Sequence, residues 1–380
     1  MRAPALVCPL HLVVASLALY TLHCSTESSA PDAGATEAPV DTGQSNAGRT
    51  APPPETRPTP ASGAMEDADR AEPDAVQASD ALPPEGSPQA EMPDAGDATV
   101  DAGAPSAGDA TGTRRLATPP VYTGNNPGSS GCGGSYATLG FEPDTDPDAA
   151  YPLFLYFVGT TFSDSDLSAR HDSEAAMAVT EAMARRGFVA LSVEYDNTLS
   201  FSPDKLGCMY GDANPQSLLA VACGLPQVDC DAGIATWGHS QGALMAHAAS
   251  QYDVRVRAVW TTGYSGGTFP LPPDRLRVVN GAGDFMNGSV DVLNRAAGLS
   301  AAECPDDGRS ECLRQDGSGW IQVRQEDCVE SSADHCWFDK RSCIDDVVVL
   351  EPNWTDPASE KAFALELNAD WVARTVRRAP

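Results

Sequence analysis

The chain reads as an α/β protein, a mainly parallel sheet flanked by helices and preceded by a long disordered linker. Three observations predict this. From about residue 119 to the end, apolar runs of strand length alternate with helical patterns, as layered α/β domains require. Several of the apolar runs are unbroken, which suits parallel strands buried on both faces. One of them, Ile234 to Trp237, leads into the turn Gly238-His239-Ser240-Gln241-Gly242 and at once into a helix-forming run.

The elements follow in order. Residues 1–24 read as an export signal. Arg2 supplies a positive start, and Ala5 to Leu22 is a mostly apolar run, interrupted by Pro9, that is too short to favour a membrane span. Cys24 ends it in a manner that resembles a bacterial lipoprotein signal, which makes Cys24 a candidate lipid anchor. Cleavage near Ala30, releasing a secreted protein, is the alternative. An extracytoplasmic location, at the outer membrane or cell surface or free outside, is expected either way. Residues 25–118 contain no aromatic side chain and carry near-repeats such as Pro31-Asp32-Ala33-Gly34 and Pro93-Asp94-Ala95-Gly96. Such a segment cannot bury enough apolar surface to offset chain entropy, so it reads as an extended, disordered linker. The net charge of −29 argues against nucleic acid as a ligand.

Residues 119–380 read as one folded domain, expected to be a monomer. Gly134 to Phe141 alternates in places and reads as an early strand. Tyr151 to Val158 is a continuous apolar run, a buried strand. A helix is expected over Ser173 to Arg186, with Ala176, Val179 and Met183 on its apolar side and Gly187 as its stop. Phe188 to Val193 is the next strand, and a helix is expected around Ser217 to Cys223. After the turn at Ser240, Val254 to Thr262 and Arg275 to Asn280 are strands. Residues 286–319 read as a disulfide-tied excursion, and Trp320 to Arg324 as the last core strand. Asp356-Pro357 reads as a helix start, with Phe363, Leu367 and Trp371 as a buried stripe.

Eleven cysteines agree with export. Setting aside Cys8 and Cys24, nine remain: Cys132, Cys208, Cys223, Cys230, Cys304, Cys312, Cys328, Cys336 and Cys343. An odd count leaves at least one thiol free or bound to a partner. No Cys-x-x-Cys knuckle is present, which argues against zinc.

The glycines at positions 238 and 242 flank Ser240 where a Cβ would collide with the neighbouring strand and helix, and the following helix directs its first N–H groups toward developing negative charge. A second copy of the pattern, Gly263-Tyr264-Ser265-Gly266-Gly267, runs into Pro270, Pro272 and Pro273, which forbid a helix, so Ser265 reads as part of a loop. In strand order and in this turn, residues 119–380 resemble an α/β-hydrolase, most nearly the secreted bacterial esterases and lipases with a Gly-His-Ser-Gln-Gly nucleophile elbow. The resemblance implies a serine nucleophile at Ser240, then an acid, then a histidine in chain order. Of six histidines, His11 and His23 fall in the signal and His171 precedes the serine. His239 lies inside the elbow and His247 on the helix beyond it. His335 is left as the base. Asp284 follows a strand through Gly281-Ala282-Gly283 and is assigned as the acid, ahead of Asp334. The oxyanion hole is assigned to the backbone N–H groups of Gln241 and Thr160, with Thr161 as the alternative to Thr160.

These residues suit the hydrolysis of a small-molecule or lipid-like carboxylic ester, without metal or organic cofactor. A serine peptidase with the same triad, or a surface-displayed binding module on the same fold, is the alternative.

Overall fold

The computed structural model describes residues 112–125, 131–144, 148–160, 171–197, 203–338 and 349–378. The export signal with Cys24, the linker up to residue 111, Thr161 and Cys343 lie outside them. The described chain opens with four strands, β1 (Thr113–Arg115), β2 (Tyr122–Asn125), β3 (Cys132–Tyr136) and β4 (Thr138–Pro143). Strands and helices then alternate: β5 (Leu153–Phe157), α1 (Glu174–Arg185), β6 (Val189–Val193), α2 (Pro203–Tyr210), α3 (Leu218–Cys223), β7 (Ile234–His239) and α4 (Gln241–Tyr252). The second half continues with β8 (Val256–Thr262), β9 (Leu276–Gly281), α5 (Val290–Ala297), β10 (Glu311–Leu313), β11 (Gly319–Val323), α6 (Pro352–Thr355) and α7 (Leu365–Arg378).

Nine strands form one sheet in the order β1-β4-β6-β5-β7-β8-β9-β11-β10. The six strands from β6 to β11 in that order pair parallel to one another. Every residue of β5, β6, β7 and β9 is buried, and β5 stands out accordingly as an unbroken apolar run. The short edge strands β1 and β10 pair antiparallel and expose Arg114, Arg115 and Glu311, charges that discourage pairing with another chain.

The two faces of the sheet are covered by different elements. Thr236 donates to Ala246 O of α4 at 2.8 Å. Its neighbour Trp237 therefore points to the other face, where it stacks on Trp260 at 4.5 Å and meets Phe338 and Trp354. All six tryptophans of the chain are fully buried. Helix α1 is capped by Ser173, whose hydroxyl accepts from Ala176 N at 3.2 Å, and ends at Gly187 with φ 79°. It packs against α7, where Arg185 and Arg186 bind Glu366 and Asp370.

Several expectations need correction. The linker was expected to run to residue 118, yet Thr113–Arg115 pairs with β4, Arg114 binds Glu142 at 2.8 Å and Leu116 is buried. Gly134 to Phe141 is not one strand. It breaks at Ala137, whose N–H is taken by the Glu194 carboxylate at 2.5 Å, and β3 pairs with β2 in a separate hairpin. The excursion over 286–319 holds both α5 and β10. The helix expected from Asp356 begins instead at Leu365, because Asp356 closes a turn by accepting from Ala358 N and Ser359 N. Leu367 is exposed, and the buried side of α7 is formed by Leu365, Ala369, Trp371, Val372 and Val376.

Bridges join Cys132 to Cys208, Cys223 to Cys230 and Cys304 to Cys312. Cys336 is also disulfide-bonded, and Cys328 is a free thiol.

Candidate active site

Ser240 is the single residue between β7 and α4. Its backbone, at φ 55° and ψ −120°, is the one non-glycine among the described residues with positive φ. Holding a side chain there costs roughly 1–3 kcal/mol, which the surrounding structure must impose. The neighbours impose it. A Cβ on Gly238 would overlap the carbonyl of Gly242, and one on Gly242 would overlap the carbonyls of Phe157 and Val158. Ser240 N donates to Thr262 O at 2.9 Å, which ties the turn to β8. The hydroxyl makes no capping bond to α4 and is half-exposed. The second copy of the motif differs: Ser265 is exposed in a loop that no helix follows.

Asp284 lies in the turn after β9, and its side chain is fully buried. One carboxylate oxygen accepts from Met286 N at 3.0 Å and Asn287 N at 3.1 Å. The other accepts from Asn287 Nδ2 at 3.1 Å and meets His335 Nδ1 at 2.7 Å. Burial by itself raises the pKa of this carboxyl. The hydrogen bonds and charge of His335, with those of Asn287 and Met286, outweigh it and hold the group below the ordinary aspartate value. An ionised carboxylate only accepts, so His335 Nδ1 carries the proton and Nε2 is left as the basic nitrogen. Asp334, the runner-up acid, is exposed and accepts instead from Cys336 N at 2.9 Å.

The His335 ring rests on the turn that ends β8, where a Cβ on Gly263 would lie 2.6 Å from its Cε1. His239 Nε2 lies 2.9 Å from the carbonyl oxygen of His335, and because that oxygen can only accept, Nε2 donates. The two imidazole rings are 4.7 Å apart. The residue beside the serine thus holds the histidine's own backbone. No hydrogen bond joins Ser240 Oγ to His335, and such bonds commonly tighten only when substrate is present. His247 faces elsewhere. It pairs with the Tyr264 hydroxyl at 2.6 Å, and burial lowers its pKa to about 4, which keeps it neutral.

The loop that carries His335 is anchored by a residue the sequence reading passed over. Glu351 is wholly buried, and its carboxylate accepts from Val329 N, Glu330 N and Ser331 N, each at 2.9 Å. Asn353 N and Ser331 Oγ add two more bonds. Burial raises the pKa of this carboxyl, but the backbone N–H groups outweigh it and hold it below the ordinary glutamate value. Only the local bond to Asn353 follows from sequence spacing, as a helix cap before Pro352.

On the other side of Ser240 lies the loop after β5. A Cβ on Gly159 would come within 2.7 Å of His239 Nδ1 and 3.3 Å of Ser240 Cβ, so this loop runs directly against the turn. Thr160 N donates to none of the described groups. Gln241 is the first residue of α4, where helix geometry supplies no intrahelical acceptor for the N–H. The structure therefore brings Ser240, Asp284, His335, Thr160 and Gln241 to the carboxyl ends of β5, β7 and β9 and the loop beyond β11. Open α/β sheets bind ligands at that edge.

No protein-family model matches the chain, and no curated protein does. Solved structures do. Esterase Est22 aligns at 16% identity over 43% of this chain and 48% of its own, with a TM-score of 0.31. An α/β serine hydrolase without lid from Xanthomonas campestris aligns at 16% identity over 55% and 85%, with a TM-score of 0.31. A fungal esterase from Rhizomucor miehei aligns at 10% identity over 70% and 83%, with a TM-score of 0.39. The chain thus spans less than half the length of Est22. Likeness at this level carries no chemistry. It is the strand order, the flanking helices and the strained turn between β7 and α4 that make this an α/β-hydrolase fold.

Proposed function

We propose that the chain is an exported serine hydrolase that cleaves carboxylic esters through an acyl-enzyme. One observation carries the reading: a buried, ionised Asp284 is bonded to His335 at 2.7 Å, and the His335 loop is tied to the residue beside a strained Ser240. His335 Nε2 takes the Ser240 proton as Oγ attacks the ester carbonyl. The imidazolium is stabilised by Asp284, and the N–H groups of Thr160 and Gln241 receive the tetrahedral oxyanion. His335 then returns the proton to the leaving alcohol. Water repeats the sequence on the acyl-enzyme and frees Ser240. The disulfides among the described residues support an oxidising compartment, and with it export, with Cys24 proposed as a lipid anchor.

The test is covalent labelling. A fluorophosphonate should label Ser240, and Ser240→Ala should abolish both labelling and hydrolysis of p-nitrophenyl acetate, while Ser265→Ala leaves them intact. Equal labelling of the Ser240→Ala protein would overturn the assignment. Hydrolysis of a peptide in preference to the ester would favour the peptidase, and an unlabelled, inactive wild type would favour the binding module.

A further inference from the structure

The donor assigned to Thr160 follows a glycine at the end of the described part of this loop. Gly159 adopts many backbone conformations, and a flip of the peptide between Gly159 and Thr160 would present a carbonyl where an N–H is needed. That peptide is planar and trans, so its C=O and N–H point in opposite directions. Whatever holds the Gly159 oxygen therefore aims the Thr160 N–H.

Asn197 holds it. Its side-chain amide donates to Gly159 O at 3.0 Å, and the residue is fully buried. Because a carbonyl oxygen only accepts, the atom facing it must be Nδ2. Two residues earlier, Tyr195 donates its hydroxyl to Val158 O at 2.5 Å. Both side chains come from the segment leaving β6, the parallel neighbour of β5. Asp196, between them, is turned to Asn125 and Lys205 instead, as alternation along an extended chain requires. Two consecutive carbonyls of the loop are thus fixed from one side. On its other flank the loop lies against His239 and Ser240. The Thr160 N–H points away from Asn197 and is engaged by no described group.

We propose that Asn197 is the positioning residue of the oxyanion hole, aiming the Thr160 N–H by holding the carbonyl of Gly159. The proposal rests on Ser240 being the nucleophile. Asn197 touches neither substrate nor reacting atoms, so its effect falls on the oxyanion and not on the bound ester.

Asn197→Asp keeps the size of the side chain but sets an acceptor against an acceptor. On p-nitrophenyl acetate kcat should fall by about 10- to 100-fold with KM changed by less than about twofold. The Ki of a trifluoromethyl ketone, which adds Ser240 to give an oxyanion, should rise by the same factor. Circular dichroism checks the fold. If the Asp variant is unfolded, Tyr195→Phe gives the same reading through Val158, with kcat down about three- to tenfold at constant KM. A wild-type kcat in a folded variant, or a loss confined to KM, overturns the proposal. Fluorophosphonate labelling of the wild type separates the two levels. Without label on Ser240 the nucleophile assignment itself fails, whereas a labelled wild type beside an unaffected Asn197→Asp sinks the positioning role alone.

Discussion

Ser240 pays for its exposure in backbone strain. The φ of 55° is tolerable for glycine and costly for any residue with a Cβ. Ser240→Gly and Ser240→Ala should both be inactive, but the glycine variant should be the more stable by about 1 kcal/mol, because it alone relieves the strain. Urea denaturation of the pair measures this, and a more stable alanine variant would show that the turn is unstrained. In the proposed mechanism Asp284 acts by charge and by tautomer. Asn at that position keeps the shape but can present an N–H to His335, which leaves the proton on the wrong ring nitrogen. Asp284→Asn should lower kcat by about 10⁴-fold, read against p-nitrophenyl acetate. A variant within tenfold of wild type would remove Asp284 from the mechanism.

At the scale of an element, the segment carrying His335 is held from three sides. His239 grips it from beneath, Cys336 is disulfide-bonded, and Glu351 gathers three consecutive N–H groups ahead of it. Glu351→Gln replaces one acceptor oxygen by a donor facing N–H groups. This should destabilise the domain by about 2–3 kcal/mol at neutral pH. The sign of the pH effect follows from the depressed carboxyl. Its stabilisation is complete above the ordinary glutamate value of 4.5 and is lost as pH falls through the lower folded value. The gap between wild type and Glu351→Gln should therefore shrink below about pH 4, and a constant gap in denaturation midpoints would refute the charge-based account. Mild reduction is expected to lower turnover before far-ultraviolet circular dichroism changes, since the sheet behind the loop rests on apolar burial. Full activity after every bridge is confirmed reduced would show that the bridge at Cys336 does not constrain His335.

At the scale of the molecule, the domain begins earlier than composition implies. Leu116 is buried and β1 closes one edge of the sheet. A protein beginning at residue 112 should keep full activity and melting temperature. One beginning at residue 119 loses β1 and Leu116, and should be less stable by roughly 2–3 kcal/mol. Equal melting temperatures for the two would mean that β1 adds nothing to the sheet.

Much of this architecture could be read along the chain because it is locally imposed. Strand β5 is apolar throughout and β6 to β9 are apolar for most of their length, since both faces of the sheet are covered. The turn at Ser240 shows itself because close carbonyls leave no room for a Cβ at positions 238 and 242. Asp284 and His335 were reached only through chain order, and the 2.7 Å bond between them is a fact of the folded state. The supporting residues left no such trace. Asn197 meets Gly159 across 38 positions, His239 meets His335 across 96, and Glu351 meets Ser331 across 20. An asparagine after a strand, or a glutamate before a proline, looks like ordinary loop and cap chemistry. The break at Ala137 escaped for the same reason, since a distant carboxylate decided it, whereas the late start of α7 was decided by a competing local turn at Asp356. By itself the sequence determined the central strands of the sheet, the turn at Ser240 and the order of its candidate residues, because burial and backbone geometry act between neighbours. Only the tertiary structure decided what holds each of them in place, because those hydrogen bonds join segments that meet only after the sheet has formed.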